Sequence, residues 1–128
     1  MAAVKYSRQR ESIKRYLMGT KAHPTADMVY QGVREEYPNI SLGTVYRNLN
    51  FLVEQGEALR LTCGDGSEHY DGNVEPHYHL MCRCCHRVLD LEMASLEHIN
   101  TLAAANFGGT IEAHSVLFFG RCPECKEV

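Results

Sequence analysis

Up to Gly56 the apolar positions recur at helical spacing in three runs, each with a start and a stop signal. Ser7 can cap a segment running to about Met18, in which Ile13, Tyr16 and Leu17 form one stripe and Gly19 closes the run. Thr25, just after His23-Pro24, can cap a second run to about Tyr37. Met28, Val29, Val33 and Tyr37 share its apolar face, and Pro38-Asn39 breaks it. Ser41 can cap a third, SLGTVYRNLNFLVEQ, which Gly56 terminates. Val45, Leu49, Leu52 and Val53 make its inner face. Arg47 and Asn50 lie opposite, with Thr44 and Tyr46 on the flanks.

The period then changes. In ALRLTCGDGSEHYD, Leu59 and Leu61 alternate with Arg60, and Gly64-Asp65-Gly66 makes a tight turn, so the segment reads as a β-hairpin. Three helices followed by a hairpin is the layout of a winged helix-turn-helix. The segment from Gly72 to Pro76 is a hinge candidate. HYHLMC and RVLDLE read as strands joined at a cysteine-rich turn. A helix is expected from about Ser95 to Phe107, stopped by Gly108-Gly109, and TIEAHSVLFFGRC is expected as a final strand before CPEC. The expected fold class is therefore α+β: an N-terminal winged helix-turn-helix domain over 1–72 and a small C-terminal α/β domain over 73–128.

Length and composition narrow the possibilities. A chain of 128 residues makes one ordinary domain or two very small ones, and small domains gain much from a structural metal. The first twenty residues hold no apolar run fit for a signal peptide. No stretch approaches the ~18 apolar residues of a membrane span; the longest patch, Val116-Leu117-Phe118-Phe119, reads as a buried strand. A cytoplasmic protein without membrane association is expected. In that reducing compartment six cysteines point to metal or redox chemistry rather than a disulfide framework.

Net charge is −3, but it is unevenly spread. Residues 1–64 carry nine Lys and Arg against six Asp and Glu, net +3, while residues 65–128 carry four against ten, net −6. The first half could meet phosphate and the second could hold cations, although an imbalance of this size also arises from ordinary surface variation.

Cys82-Arg-Cys-Cys85 and Cys122-Pro-Glu-Cys125 are two C-x2-C pairs. Each tight turn can point two thiolates at one ion, and four thiolates in a tetrahedron suit structural zinc. Cys84 is spare within the first pair. Cys63, in the hairpin, reads as an ordinary small residue. A thioredoxin-like role for CPEC would need a βαβ unit around the motif, whereas only three residues follow Cys125 in the sequence, so it is not expected. The zinc deaminase signature fails because there is no H-x-E. His77-Tyr-His79 on a strand puts two imidazoles on one face, and Asp71 and Asp90 lie near enough in sequence to add oxygen ligands. Such a nitrogen and oxygen set suits Fe(II), Mn(II) or Zn(II). Taken alone, H-x-H is equally compatible with two surface or packing histidines.

His23-Pro-Thr-Ala-Asp, GTVYRNL from Gly43 to Leu49, H-Y-H and the two C-x2-C pairs together resemble the ferric uptake regulator (Fur) family of metal-dependent transcriptional repressors, over nearly the whole chain. Within it the sequence is most similar to the peroxide-sensing PerR branch. The resemblance implies a winged-helix DNA-binding half, a dimerising half, and structural zinc at Cys82, Cys85, Cys122 and Cys125. It further implies a regulatory Fe(II) or Mn(II) held by His23, Asp71, His77, His79 and Asp90; iron-sensing members more often have glutamate at the two acidic positions. Because His23 precedes the second helix and the other four lie at or beyond the hinge, one ion would couple the two halves. The family's oxidised histidines fall on His23 and His77, so hydrogen peroxide is the implied signal. A second, auxiliary metal site of many members lacks two ligands. Glu97 and His114 match its remaining pair and are expected as surface residues. His69, His86 and His98 match no ligand position.

The same resemblance makes the third helix the reader of a palindromic double-stranded operator bound by a homodimer. Tyr46 and Arg47 are the candidates for base edges, with Thr44 and Asn50 as helpers. Arg8, Arg10, Lys14 and Arg15 are the candidates for phosphate or minor-groove contacts. Two rivals stay open. One is an iron- or zinc-responsive repressor of the same family without peroxide sensing. The other is a metal-dependent hydrolase, for which no separate general base or substrate pocket motif is visible; no enzymatic activity is expected.

Overall fold

The computed structural model of the protein describes residues 7–63, 66–96 and 98–126. Gly64 and Asp65 of the expected tight turn, and Glu97, lie outside them. The chain divides into two compact units, one ending at Val74 and the other beginning at Glu75.

The first unit is a winged helix-turn-helix. It contains α1 (Arg8–Met18), α2 (Ala26–Val33), α3 (Leu42–Glu54), β1 (Leu59–Thr62) and β2 (Glu68–Asp71). Each helix starts at a hydroxyl cap: Ser7 accepts from the Arg10 amide, Thr25 from Met28 and Ser41 from Thr44, at 3.1–3.3 Å. Such caps satisfy amides that the first helical turn leaves without an internal partner. The stripes meet in one core of Ile13, Leu17, Val29, Val33, Ile40, Val45, Leu49 and Leu52, all buried. The wing strands pair antiparallel, with Leu59 opposite Asp71 and Thr62 opposite Glu68. Tyr70 of β2 is only 1 % exposed and reaches into the helical core, which fastens the wing to the helices.

The second helix is shorter than its apolar period predicts. It ends at Val33, after which the Val33 carbonyl accepts from both the Glu36 and Tyr37 amides. Pro38 disfavours helical backbone at Tyr37, so the chain tightens into a turn before it.

The second unit contains β3 (Tyr78–Cys82), β4 (Val88–Leu91), α4 (His98–Ala104) and β5 (Leu117–Gly120) in a sheet ordered β4-β3-β5. The β3–β4 pair is antiparallel and the β3–β5 pair parallel. Its buried apolar set is small: Tyr78, Met81, Cys82, Val88 and Cys122. Two expected elements are shorter here. The helix expected over Ser95–Phe107 is regular only from His98 to Ala104. Its ends tighten into bonds from Ile99 to Leu96 and from Phe107 to Ala104, and α4 has no buried residue among those described. The final strand pairs only over Leu117–Gly120, because β3 offers partners only from His79 to Cys82. Among the described residues no helix is long and apolar enough to cross a membrane.

Candidate metal centres

The four cysteines of the two C-x2-C pairs converge within the second unit. Their sulfur atoms all lie within 4.8 Å of one another. Cys82 ends β3, and its Sγ accepts from the amides of Cys85 and Cys122, each at 3.4 Å. These two amides favour the thiolate and bring the Cys82 pKa down to about 5. Arg87 donates to Cys122 Sγ at 3.2 Å and lowers that thiol's pKa also. Cys125 is pushed upward, chiefly by its contacts with Cys122 and Cys84, as expected when several thiols share one small space and cannot all ionise without a cation. Four sulfurs this close, two of them primed as thiolates, fit a tetrahedral zinc. Cys63 is buried at the end of β1, as a small core residue should be.

The histidines and aspartates form one group in each unit. In the second, the β3–β4 register sets His79 directly opposite Asp90. Asp90 Oδ1 lies 3.4 Å from His79 Nε2 and 3.0 Å from His77 Nε2. The His77 Nδ1–H donates to the Glu75 carbonyl, which leaves Nε2 as the ring nitrogen turned toward Asp90. Two imidazole Nε2 atoms and a carboxylate on one face are a nitrogen and oxygen donor set of the kind that takes Fe(II), Mn(II) or Zn(II).

In the first unit, His23 and Asp71 are both buried, with His23 Nδ1 3.5 Å from Asp71 Oδ2. Asp71 also accepts from the Asn73 amide at 2.9 Å. His23 has a φ of 50°, left-handed backbone for a residue with a Cβ. Strand β2 brackets this corner with consecutive residues. The His69 Nδ1–H donates to the His23 carbonyl at 2.7 Å, and the Tyr70 amide donates to the Pro24 carbonyl at 2.9 Å. The next residue, Asp71, presents its carboxylate to the His23 ring. Sequence reasoning gave His69 no part in this. The signal it lacked is a contact across 46 positions of chain.

His114 is corrected from a surface residue to a half-buried one. Its Nε2 is 2.6 Å from the buried Tyr78 hydroxyl and its Nδ1 2.7 Å from Asn100 Oδ1, while Tyr78 accepts from the Leu96 amide. It ties β3 to the segment around α4.

On α3, Tyr46, Arg47 and Asn50 are exposed and Thr44 is half-buried. Arg47 donates to Thr44 Oγ1 at 2.9 Å, and Asn50 accepts from Arg60 of β1. Arg60 is a basic residue on the wing that sequence reasoning passed over, because its alternation with leucines marked only a strand. The α1 basic residues differ from one another. Arg8 is exposed, Arg10 lies 4.3 Å over the Phe51 ring, Lys14 pairs with Glu57 at 2.7 Å and Arg15 with Glu36 at 3.5 Å.

The family model described as the ferric uptake regulator family matches residues 1–119. The chain belongs to the ferric uptake regulator family. Among Fur-family relatives, the peroxide-responsive repressor PerR of Staphylococcus epidermidis is 37 % identical over 126 residues, covering 98 % of this chain and 84 % of that protein. The Campylobacter jejuni peroxide stress regulator has a similar structure, with a TM-score of 0.80 at 32 % identity, over 91 % of this chain and 88 % of that one. The Helicobacter pylori Fur shares the fold with a TM-score of 0.82 at 24 % identity, over 98 % and 84 % of the two chains.

Proposed function

We propose that the protein is a metal-dependent transcriptional repressor that binds operator DNA as a homodimer and releases it in response to hydrogen peroxide. The observation that carries the reading is the pair of aspartates, Asp71 and Asp90, each set against buried or half-buried imidazole in its own unit. The Fur-family membership and the peroxide-responsive relatives support it.

Structural zinc is held by Cys82, Cys85, Cys122 and Cys125. It fastens the end of β3 to the C-terminal turn of a unit whose own apolar core is small. His23 and Asp71 of the first unit and His77, His79 and Asp90 of the second would hold a regulatory Fe(II) or Mn(II). Ligands from both units give the ion a preference for the arrangement in which all five reach it, so metal shifts the population toward that arrangement. A shift from mostly open to mostly closed takes ~5.5 kcal/mol of differential affinity. The closed dimer presents two α3 helices to successive major grooves of a palindromic site. Tyr46 and Arg47 read base edges beside Thr44 and Asn50, while Arg8, Arg10, Lys14 and Arg15 meet phosphate.

Fe(II), when bound by these five residues, would supply the redox chemistry toward peroxide. His23 and His77 would be the groups oxidised: each would take one oxygen atom from one peroxide molecule, whose other oxygen leaves as water, and each would become a weaker metal ligand. Asp71 and Asp90 keep the donor set hard. The event is self-modification rather than turnover, so the protein acts as a sensor and not an enzyme.

A DNA-shift assay with zinc-loaded protein tests the reading. Binding is expected to require added Mn(II) or Fe(II), and peroxide should abolish it only in the iron-loaded sample. Binding without either metal would remove the repressor mechanism. Binding that needs metal but ignores peroxide would instead identify an iron- or zinc-responsive regulator.

A further inference from the structure

We infer that His69 is a positioning residue for the regulatory metal site, acting through the backbone of His23. The inference rests on the reading of His23 as a metal ligand and deepens it.

Three facts converge on the His23–Pro24 corner. His23 holds left-handed backbone at φ 50°, a region that residues with a Cβ rarely adopt. Pro24 disfavours its relaxing into right-handed helical backbone. The His69 side chain bonds the His23 carbonyl at 2.7 Å, and His69 is only 7 % exposed. A carbonyl can only accept, so His69 carries its proton on Nδ1. Its Nε2 is hydrogen-bonded to the Ser67 hydroxyl at 3.2 Å, which fixes the ring from the other side.

The bond sets where the His23 side chain leaves the backbone. The next residue of the strand, Tyr70, holds Pro24 in the same way, and the one after, Asp71, faces the His23 ring. His69 therefore locks the first-unit donor pair before any metal arrives. Without it, His23 would populate other backbone conformations, and each binding event would have to restore the productive one.

The test measures Mn(II) binding to the zinc-loaded full chain by electron paramagnetic resonance, for wild type, His69→Leu, His69→Asn and His23→Ala. His69→Leu removes the donor. His69→Asn keeps an N–H close to the position of Nδ1. Affinity should fall about tenfold to a hundredfold in His69→Leu. It should recover most of that loss in His69→Asn, with zinc content and the unfolding midpoint of the Mn-free protein near wild type in both. Unchanged affinity in His69→Leu would overturn the inference, as would an equal loss in the two His69 variants. A lowered unfolding midpoint with unchanged affinity would show a purely structural histidine and overturn it too. Wild-type affinity in His23→Ala would fail at the earlier step, because His23 would then be no ligand. Should His69→Leu not fold, nitrogen-15 imidazole shifts of the wild-type protein decide: an Nδ1–H tautomer at His69 supports the assignment, and an Nε2–H tautomer refutes it.

Discussion

Asp90 stands directly opposite His79 across the β3–β4 pair, with its Oδ1 3.4 Å from the His79 Nε2 and 3.0 Å from that of His77. One carboxylate oxygen is thus shared by two imidazoles, His79 through strand register and His77 from the position just before β3. Asp90→Ala should weaken Mn(II) binding by tenfold or more while zinc content is unchanged. Asp90→Glu should keep metal-dependent DNA binding but lose DNA more slowly in peroxide, because a longer arm displaces the carboxylate from its place between the rings. Wild-type peroxide sensitivity in Asp90→Glu would show that the aspartate length has no part in the oxidation.

The second unit depends on its cysteines. It buries few large apolar side chains, whereas a thiolate-bound zinc can contribute on the order of 10 kcal/mol to folding at neutral pH. Cys122→Ser should lose zinc, measured by metal analysis, and with it the folded second unit. The first unit should keep its helical signal, since its core is independent of these residues. A zinc-free variant with an intact β-sheet would refute this dependence.

Exposed apolar side chains gather in the second unit: Leu102 at 67 %, Phe107 at 59 %, and Phe118 and Phe119 at 40 % and 44 %. The proposed dimer gives them a partner. Leu102→Glu combined with Phe118→Glu should shift the protein to a monomer in light scattering, with zinc retained. A dimer that survives both charges would require another interface.

Arg47 and Lys14 should behave differently on DNA. Arg47 lies on the exposed face of α3, and its loss should cost about 1–3 kcal/mol of discrimination at one operator position. Lys14→Ala should weaken binding evenly across sequences and flatten the salt dependence, as loss of a phosphate contact does. Because Lys14 is paired with Glu57 at 2.7 Å, its effect should be the smaller. Anisotropy titrations at several salt concentrations separate the two.

Gly72 follows the β2 strand where the wing returns to α1. A Cβ there would meet Leu17 and Met18 backbone atoms at 2.8–2.9 Å, too close to accommodate without moving the chain. Gly72→Ala should destabilise the first unit by about 1–3 kcal/mol in chemical denaturation. Gly32→Ala should be milder, since the atoms it would strike belong to the Tyr16 ring, a side chain that can turn away.

What could be read in the sequence was local. Ser7, Thr25 and Ser41 announce their helices because a cap acts within three residues, and the C-x2-C pairs announce their turns for the same reason. His77-Tyr-His79 and Asp90 could be placed on strands, although their register depends on pairing that spacing alone does not give. The contacts that escaped join separate elements. His69 reaches His23, Arg60 reaches Asn50, and Tyr78 reaches His114. The stopping points of α2 and β5 escaped too, because Val33 is decided by a proline after the run and Leu117 by the length of a partner strand. The ligand set itself came from family resemblance rather than from periodicity.

Under the proposed function, iron held by these histidines and aspartates would direct one peroxide oxygen onto its own ligands. Peptide mass spectrometry after brief peroxide exposure, comparing iron-loaded with manganese-loaded protein, addresses it directly. The account predicts one added oxygen on the peptides of His23 or His77 in the iron sample and none in the manganese sample. Oxidation confined to cysteines such as Cys84, or equal in both samples, would contradict it.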